Sequence, residues 1–229
     1  MNEITLQSIE AYDKDFQSFG ACPKGVGWGN NTKNIRKRYN NFVNLANLSP
    51  IIFSNIIDLG CGYGEFLKYT ASLNLTKRFQ YNAVEPNIKL LSNSKHLIAE
   101  IPNHKDILVR KYNLDVIQFS KLCESLNPKI PNTLMICNGV FTQKFKTSSN
   151  NFEDFLIENL CSIFSILPLS SLFIFNTMHP HPSYKLDNLF YPSNELIEFL
   201  EVKSRSFDLD LTIKFDEILC ESYYCFKRK

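Results

Sequence analysis

The spacing of apolar and polar residues alternates between two periods along this chain, and that alternation predicts its elements. Short apolar runs of three to six residues read as strands buried on both faces: Ile56 to Asp58, Tyr81 to Glu85, Ile107 to Tyr112, Thr133 to Cys137 and Ser171 to Phe175. Stretches with apolar residues three and four apart separate them: Thr32 to Leu45, Ile88 to Leu97, Val116 to Leu126, Phe152 to Leu167 and Ser193 to Val202. Residues 1–20 carry a weaker helical spacing through Ile4, Leu6, Ile9, Tyr12, Phe16 and Phe19, read as one helix or two short turns lying over the domain. The segments Asp208 to Asp216 and Ser222 to Lys227 alternate apolar with polar and predict a terminal β-hairpin. Strands alternating with helices, closed by a hairpin, give an α/β fold: a doubly wound, Rossmann-like sheet of about seven strands with an antiparallel end. The expected division is a helical cap over residues 1–48 and a binding domain over 49–229, one compact unit without an internal linker.

The most informative stretch is Ile56-Ile57-Asp58-Leu59-Gly60-Cys61-Gly62-Tyr63-Gly64-Glu65-Phe66-Leu67. An apolar strand turns through glycines at every second position and continues as a helix that runs past Leu67 and Tyr69 to Leu73. Glycine lets the backbone bend sharply and lets a ligand approach without meeting a Cβ, and a helix N-terminus behind the bend suits a carboxylate. Asp58, at the strand end, is placed to meet an ammonium, another cation or a hydroxyl. Glu85 ends the next strand about 20 residues on, where a carboxylate can accept two ribose hydroxyls. The alternative is a tight structural turn with an acidic residue downstream by chance.

Two dinucleotide readings compete. A nicotinamide fingerprint wants G-x-G-x-x-G, with its third glycine one residue later than Gly64. Gly60, Gly62 and Gly64, preceded by Asp58, form D-x-G-x-G-x-G, which resembles the nucleotide-binding loop of class I S-adenosylmethionine-dependent methyltransferases. A second resemblance lies upstream. Pro23-Lys24-Gly25-Val26-Gly27-Trp28-Gly29, followed by Arg38-Tyr39, is similar to the N-terminal region of a group of small bacterial class I enzymes with a G-V-G-W element. Phe175-Asn176 and Leu189-Phe190-Tyr191-Pro192 also resemble elements of that group.

The resemblance implies S-adenosylmethionine as cofactor and S-adenosylhomocysteine as product. Asp58, Gly60, Cys61 and Gly62 would hold the methionine part, and Arg38 would approach its carboxylate. Glu85 would take the ribose, with Pro86 and Asn87 beside the adenine. Leu114 and Asp115 follow the third strand, where an acidic side chain in the family accepts from the adenine amino group. Asp115 reads equally as the N-cap of the helix from Val116. Trp28 is either a plug over the ligand or a core anchor for the N-terminal segment. Asn138 and Phe141 follow the fourth strand, on the rim where ligands of such sheets bind. Asn176 and Tyr191 are candidates for the acceptor pocket, Tyr191 alternatively a hydrophobic staple.

Two of the four histidines, His179 and His181, stand in the loop after the fifth strand. Either could deprotonate a hydroxyl near neutral pH, and the bland alternative is an ordinary exposed loop. The seven cysteines lack paired C-x-x-C spacing, which speaks against a disulfide framework or a zinc site, and no metal is expected. A formal net charge of +2 is too balanced to predict a nucleic-acid partner. No apolar run reaches the roughly 18 residues of a membrane span, and the polar start lacks a signal region, so a cytoplasmic protein is expected. The reading is methyl transfer to a small molecule or a sugar or phosphoryl derivative, as O-methylation. The alternatives are an NAD-dependent oxidoreductase and a non-catalytic cofactor-binding module of the same fold.

Overall fold

A computed structural model describes residues 2–93, 106–126, 130–145, 152–179 and 186–229. The chain opens with helix α1 (Glu3–Phe19), started by Asn2, whose side chain accepts from the Thr5 N–H. Helix α2 (Thr32–Asn47) is capped in the same way by Asn31. The sheet then follows, with strands β1 (Phe53–Leu59) and β2 (Leu75–Val84), helix α3 (Ile88–Asn93), strand β3 (Ile107–Tyr112) and helix α4 (Val116–Leu126). Strand β4 (Thr133–Cys137), helix α5 (Phe152–Ile166), strand β5 (Leu172–Met178), helix α6 (Asn194–Ser206) and the hairpin β6 (Leu209–Asp216) and β7 (Glu221–Arg228) complete it.

The seven strands lie in the order β3-β2-β1-β4-β5-β7-β6. The first five pair in parallel, and β7 is antiparallel to both β5 and β6. This is the predicted doubly wound sheet with an antiparallel end. The order reverses between β1 and β4, which is where such sheets open a crevice at the carboxyl ends of their strands.

Side chains alternate across the strands and are covered on both faces, so each run is nearly all apolar. Ile57, Leu59, Met135, Cys137, Phe173 and Phe175 face one layer, with Phe119 of α4, Leu160 and Phe164 of α5 and Leu200 of α6. Ile56, Leu134, Ile136, Leu172 and Ile174 face the other, where Tyr39, Phe42, Val43 and Ala46 of α2 cover them. Helix α2 is thus a sheet-covering element. Among the described residues no helix is long and apolar enough to cross a membrane.

Two neighbouring elements depart from their expectation. The segment after the glycine turn, Glu65–Ser72, is a 3-10 helix and not an α-helix. The sequence pattern starts the second strand at Tyr81, but β2 already begins at Leu75, so the crossover has few residues with which to return along β1. A 3-10 path rises about 2.0 Å per residue against about 1.5 Å for an α-helix, and covers that distance with a shorter chain.

Register aligns the site. Leu59 pairs with Val84 and with Cys137, Val84 with Tyr112, and Cys137 with Phe175. The residues that follow, Gly60, Glu85, Asn113, Asn138 and Asn176, therefore emerge along one rim.

Candidate functional site

The backbone leaves β1 through a turn built on a single carbonyl: the Gly60 and Cys61 N–H groups both donate to the Val84 oxygen, at 2.8 and 3.1 Å. Gly60 takes φ +71°, and a Cβ there would stand 2.2 Å from Val140 Cγ2. Glycine is required by backbone conformation and by space alike. The turn presents the Gly62 N–H to Glu85, whose Oε2 accepts it at 2.8 Å, while Oε1 accepts the Asn87 N–H at 2.9 Å. Burial pushes the Glu85 carboxyl up to about 7, partly offset by those two N–H groups. Asp58 is also raised to about 7 by burial, against the opposing hydrogen bond from the Tyr81 hydroxyl and with a further upward push from Glu85.

These groups border a cavity at the carboxyl edge of the sheet, enclosing about 1090 Å³ of atom-free space, part of it open to solvent. Of the residues singled out in the sequence, Trp28, Asp58, Gly60, Cys61, Gly62, Glu85, Pro86, Leu114, Asp115 and Asn138 line it together. Asn138 Oδ1 is buried and has no hydrogen-bond partner among the described residues. Asp115 forms a reciprocal cap with Gln118: its Oδ1 accepts the Gln118 N–H at 2.8 Å, and the Gln118 side chain accepts the Asp115 N–H at 3.1 Å. Trp28 lines the cavity while packing on Tyr39 at 5.3 Å between ring centroids, so it anchors the N-terminal segment and forms part of the wall at once.

Other candidates stand elsewhere, each for a visible reason. Arg38 does not line the cavity, because its guanidinium is bonded to both oxygens of Glu221 and lies 4.7 Å from the Trp28 ring centroid. Glu221 is fully buried and also accepts from Asn176 at 3.0 Å and from the Tyr223 hydroxyl at 2.7 Å. Asn176 accepts the Gly139 N–H at 2.8 Å with its other end, so its amide is consumed in joining the rim to β7. Asn87 is turned away: its side-chain oxygen accepts the Lys89 N–H, and its amide donates to Asp13. Phe141 is core, with edge contacts to Phe155 and Phe175. The Tyr191 hydroxyl accepts the Leu186 N–H in a separate depression. His179 bonds Ser222 Oγ at 2.9 Å and lies on Phe215, also off the cavity wall. His181 falls outside the described residues.

The sequence pattern predicts a helical cap but does not single out which of its residues face the cavity. Ile4, Thr5, Ser8, Ile9 and Tyr12 of α1 all line the cavity. They occupy one helical stripe, but Thr5 and Ser8 break its apolar pattern and hide it. The charge of the wall is also new. Its charged side chains among the described residues are Asp58, Glu65, Glu85 and Asp115, and no lysine, arginine or histidine stands among them.

No protein-family model and no curated protein matches this sequence. Solved structures do. A SAM-dependent methyltransferase from Leishmania major is similar with a TM-score of 0.66 and 15% identity, over 98% of this chain and 83% of that one. Magnesium protoporphyrin IX methyltransferase from Synechocystis PCC 6803, with bound SAM, has a TM-score of 0.63 and 10% identity, over 100% and 98%. The small RNA methyltransferase HEN1 has a TM-score of 0.62 and 14% identity, over 85% of this chain and 26% of its own. At these identities the likeness is one of fold: the chain has the Rossmann-like fold of class I SAM-dependent methyltransferases.

Proposed function

We propose that this chain is an S-adenosylmethionine-dependent methyltransferase with a small-molecule acceptor. The observation that carries this reading is the make-up of the wall: four carboxyl groups, two of them raised to a pKa of about 7, and no cation among the described lining residues. A sulfonium donor with an ammonium group is drawn to such a wall. The pyrophosphate of a nicotinamide dinucleotide would be repelled by it, at several kcal/mol per close like-charge pair. The unpartnered Asn138 Oδ1 fits the same ligand, since an ammonium or amine N–H supplies the donor it lacks.

In this reading Gly60 and Gly62 admit the amino-acid tail against the backbone, Asp58 and Asn138 meet its ammonium, and Glu85 accepts from the ribose. When bound, the donor supplies a methyl group already activated by the sulfonium: an acceptor lone pair forms the new bond while the C–S pair returns to sulfur. The chain's own work is to align the two within about 3 Å and to keep water out, for which Trp28 and the inner face of α1 are placed. Because His179 stands off the wall, the reading prefers an acceptor that does not rely on it as a base, such as an amine whose proton passes to water after transfer. An anionic phosphoryl acceptor would meet the same repulsion as pyrophosphate.

Calorimetric titration of the purified chain with S-adenosylhomocysteine and, separately, with NADH tests this. Binding of the first and no heat from the second supports it, and preference for NADH overturns it. A non-catalytic module would bind S-adenosylhomocysteine yet transfer no labelled methyl group to any member of a broad set of amines and alcohols.

A further inference from the structure

Helix α1 does more than cover the cavity. Its inner stripe carries three hydroxyls, those of Thr5, Ser8 and Tyr12, among the isoleucines Ile4 and Ile9. Tyr12 is the largest of these side chains, and it stands against the glycine-rich segment: a Cβ on Gly27 would lie 3.6 Å from Tyr12 Cε1. That contact places the ring beside Val26 and Trp28, which share the cavity wall with it. The Tyr12 hydroxyl has no hydrogen-bond partner among the described residues. Burial raises its pKa, and the charges of Glu85 and Asp15 raise it further, so the phenol stays protonated throughout the working range. It is therefore a neutral donor held near a carboxylate that already accepts two N–H groups.

The next residue fixes the helix. Asp13 accepts from the Asn87 amide at 2.7 Å and pairs with Lys89. Asn87 in turn gives its N–H to Glu85. The helix carrying Tyr12 is thus fastened through one residue to the carboxylate at the end of β2. The Tyr12 side chain is half-buried in the cavity wall, so its hydroxyl can exchange solvent for a ligand atom without disturbing the unliganded fold.

Resting on the reading above, we propose that Tyr12 is a donor-binding residue contributed by α1, its hydroxyl donating a hydrogen bond to the ligand that Glu85 holds. The roof then belongs to the site as much as the glycine turn does.

The test compares Tyr12→Phe with the unmodified chain. The substitution keeps the ring and removes only the hydroxyl. The dissociation constant for S-adenosylhomocysteine is expected to rise about tenfold, with the melting temperature of the unliganded protein unchanged. Equal affinity overturns the assignment while leaving the proposed function standing; no binding by the unmodified chain overturns both. A second measurement needs no variant: hydrogen exchange of the α1 amides with and without S-adenosylhomocysteine. Added protection along residues 3–19 supports contact of α1 with the ligand, and identical exchange contradicts it.

Discussion

Replacing Glu85 by glutamine separates what this side chain does for the fold from what it does for the ligand. In the free protein the carboxylate accepts the Gly62 and Asn87 N–H groups. Glutamine can accept one of them and turns its own N–H₂ toward the other, a loss of about 1–3 kcal/mol. Against this stands the cost of keeping a buried carboxylate ionised. With a pKa of about 7 in place of 4.5, that cost is about 3 kcal/mol at pH 8. The two nearly cancel, so Glu85→Gln is expected to leave the melting temperature almost unchanged. Affinity for S-adenosylhomocysteine has no such compensation. Losing charge-assisted bonds to the ribose removes about 2 kcal/mol, or about 30-fold in Kd. The only tryptophan, Trp28, lines the same cavity and makes its fluorescence the natural readout. A Kd unmoved by Glu85→Gln would refute the placement of the ligand on this carboxylate. A collapse in melting temperature would instead mean that Glu85 holds the turn and that the cancellation argued here is wrong.

Three further outcomes are expected. Asp58 and Glu85 both have folded pKa values near 7, above their ordinary range, so the folded state binds more protons than the unfolded one between about pH 4 and pH 7. Stability of the unliganded protein to urea should therefore fall as pH rises through that window, and a rise would contradict the burial argument. Gly60→Ala puts a methyl group 2.2 Å from Val140 Cγ2 at a left-handed φ; it should destabilise by more than the roughly 1–2 kcal/mol of backbone strain. Adding Val140→Ala should recover the steric part alone, as read from denaturation midpoints. Arg38→Met leaves Glu221 buried without its cation and should cost about 3–5 kcal/mol, much of it restored by Glu221→Gln in the same chain; an Arg38→Met protein as stable as the original would show that the pair is not a structural lock.

The parts of this fold set by local pattern were readable. Thr133–Cys137 and Ile107–Tyr112 appear as strands at their predicted bounds, and Ser193 caps its helix through the Leu196 N–H. The 3-10 segment was not, because its form follows from how far the chain must travel to reach Leu75, a distance set by the assembled sheet. The glycine turn and Glu85 were legible because their chemistry lies within one βαβ unit. Arg38 shows the opposite case. Its partner Glu221 lies at the far end of the chain, and their pairing depends on β7 inserting beside β5. Resemblance pointed Arg38 toward a ligand carboxylate, while the assembled sheet hands it an internal one. Tyr12 reads in the sequence as one position of a weak helical stripe, and its place on the cavity wall was not legible because Thr5 and Ser8 interrupt the apolar face it shares.

Diffraction from crystals of this protein soaked with S-adenosylhomocysteine tests the central claim most directly. Density is expected to cross Gly60 and Gly62, with ribose hydroxyls on Glu85 and the amino group at Asp58 and Asn138. A cavity still empty at saturating ligand, or the ligand bound away from this rim, would contradict it.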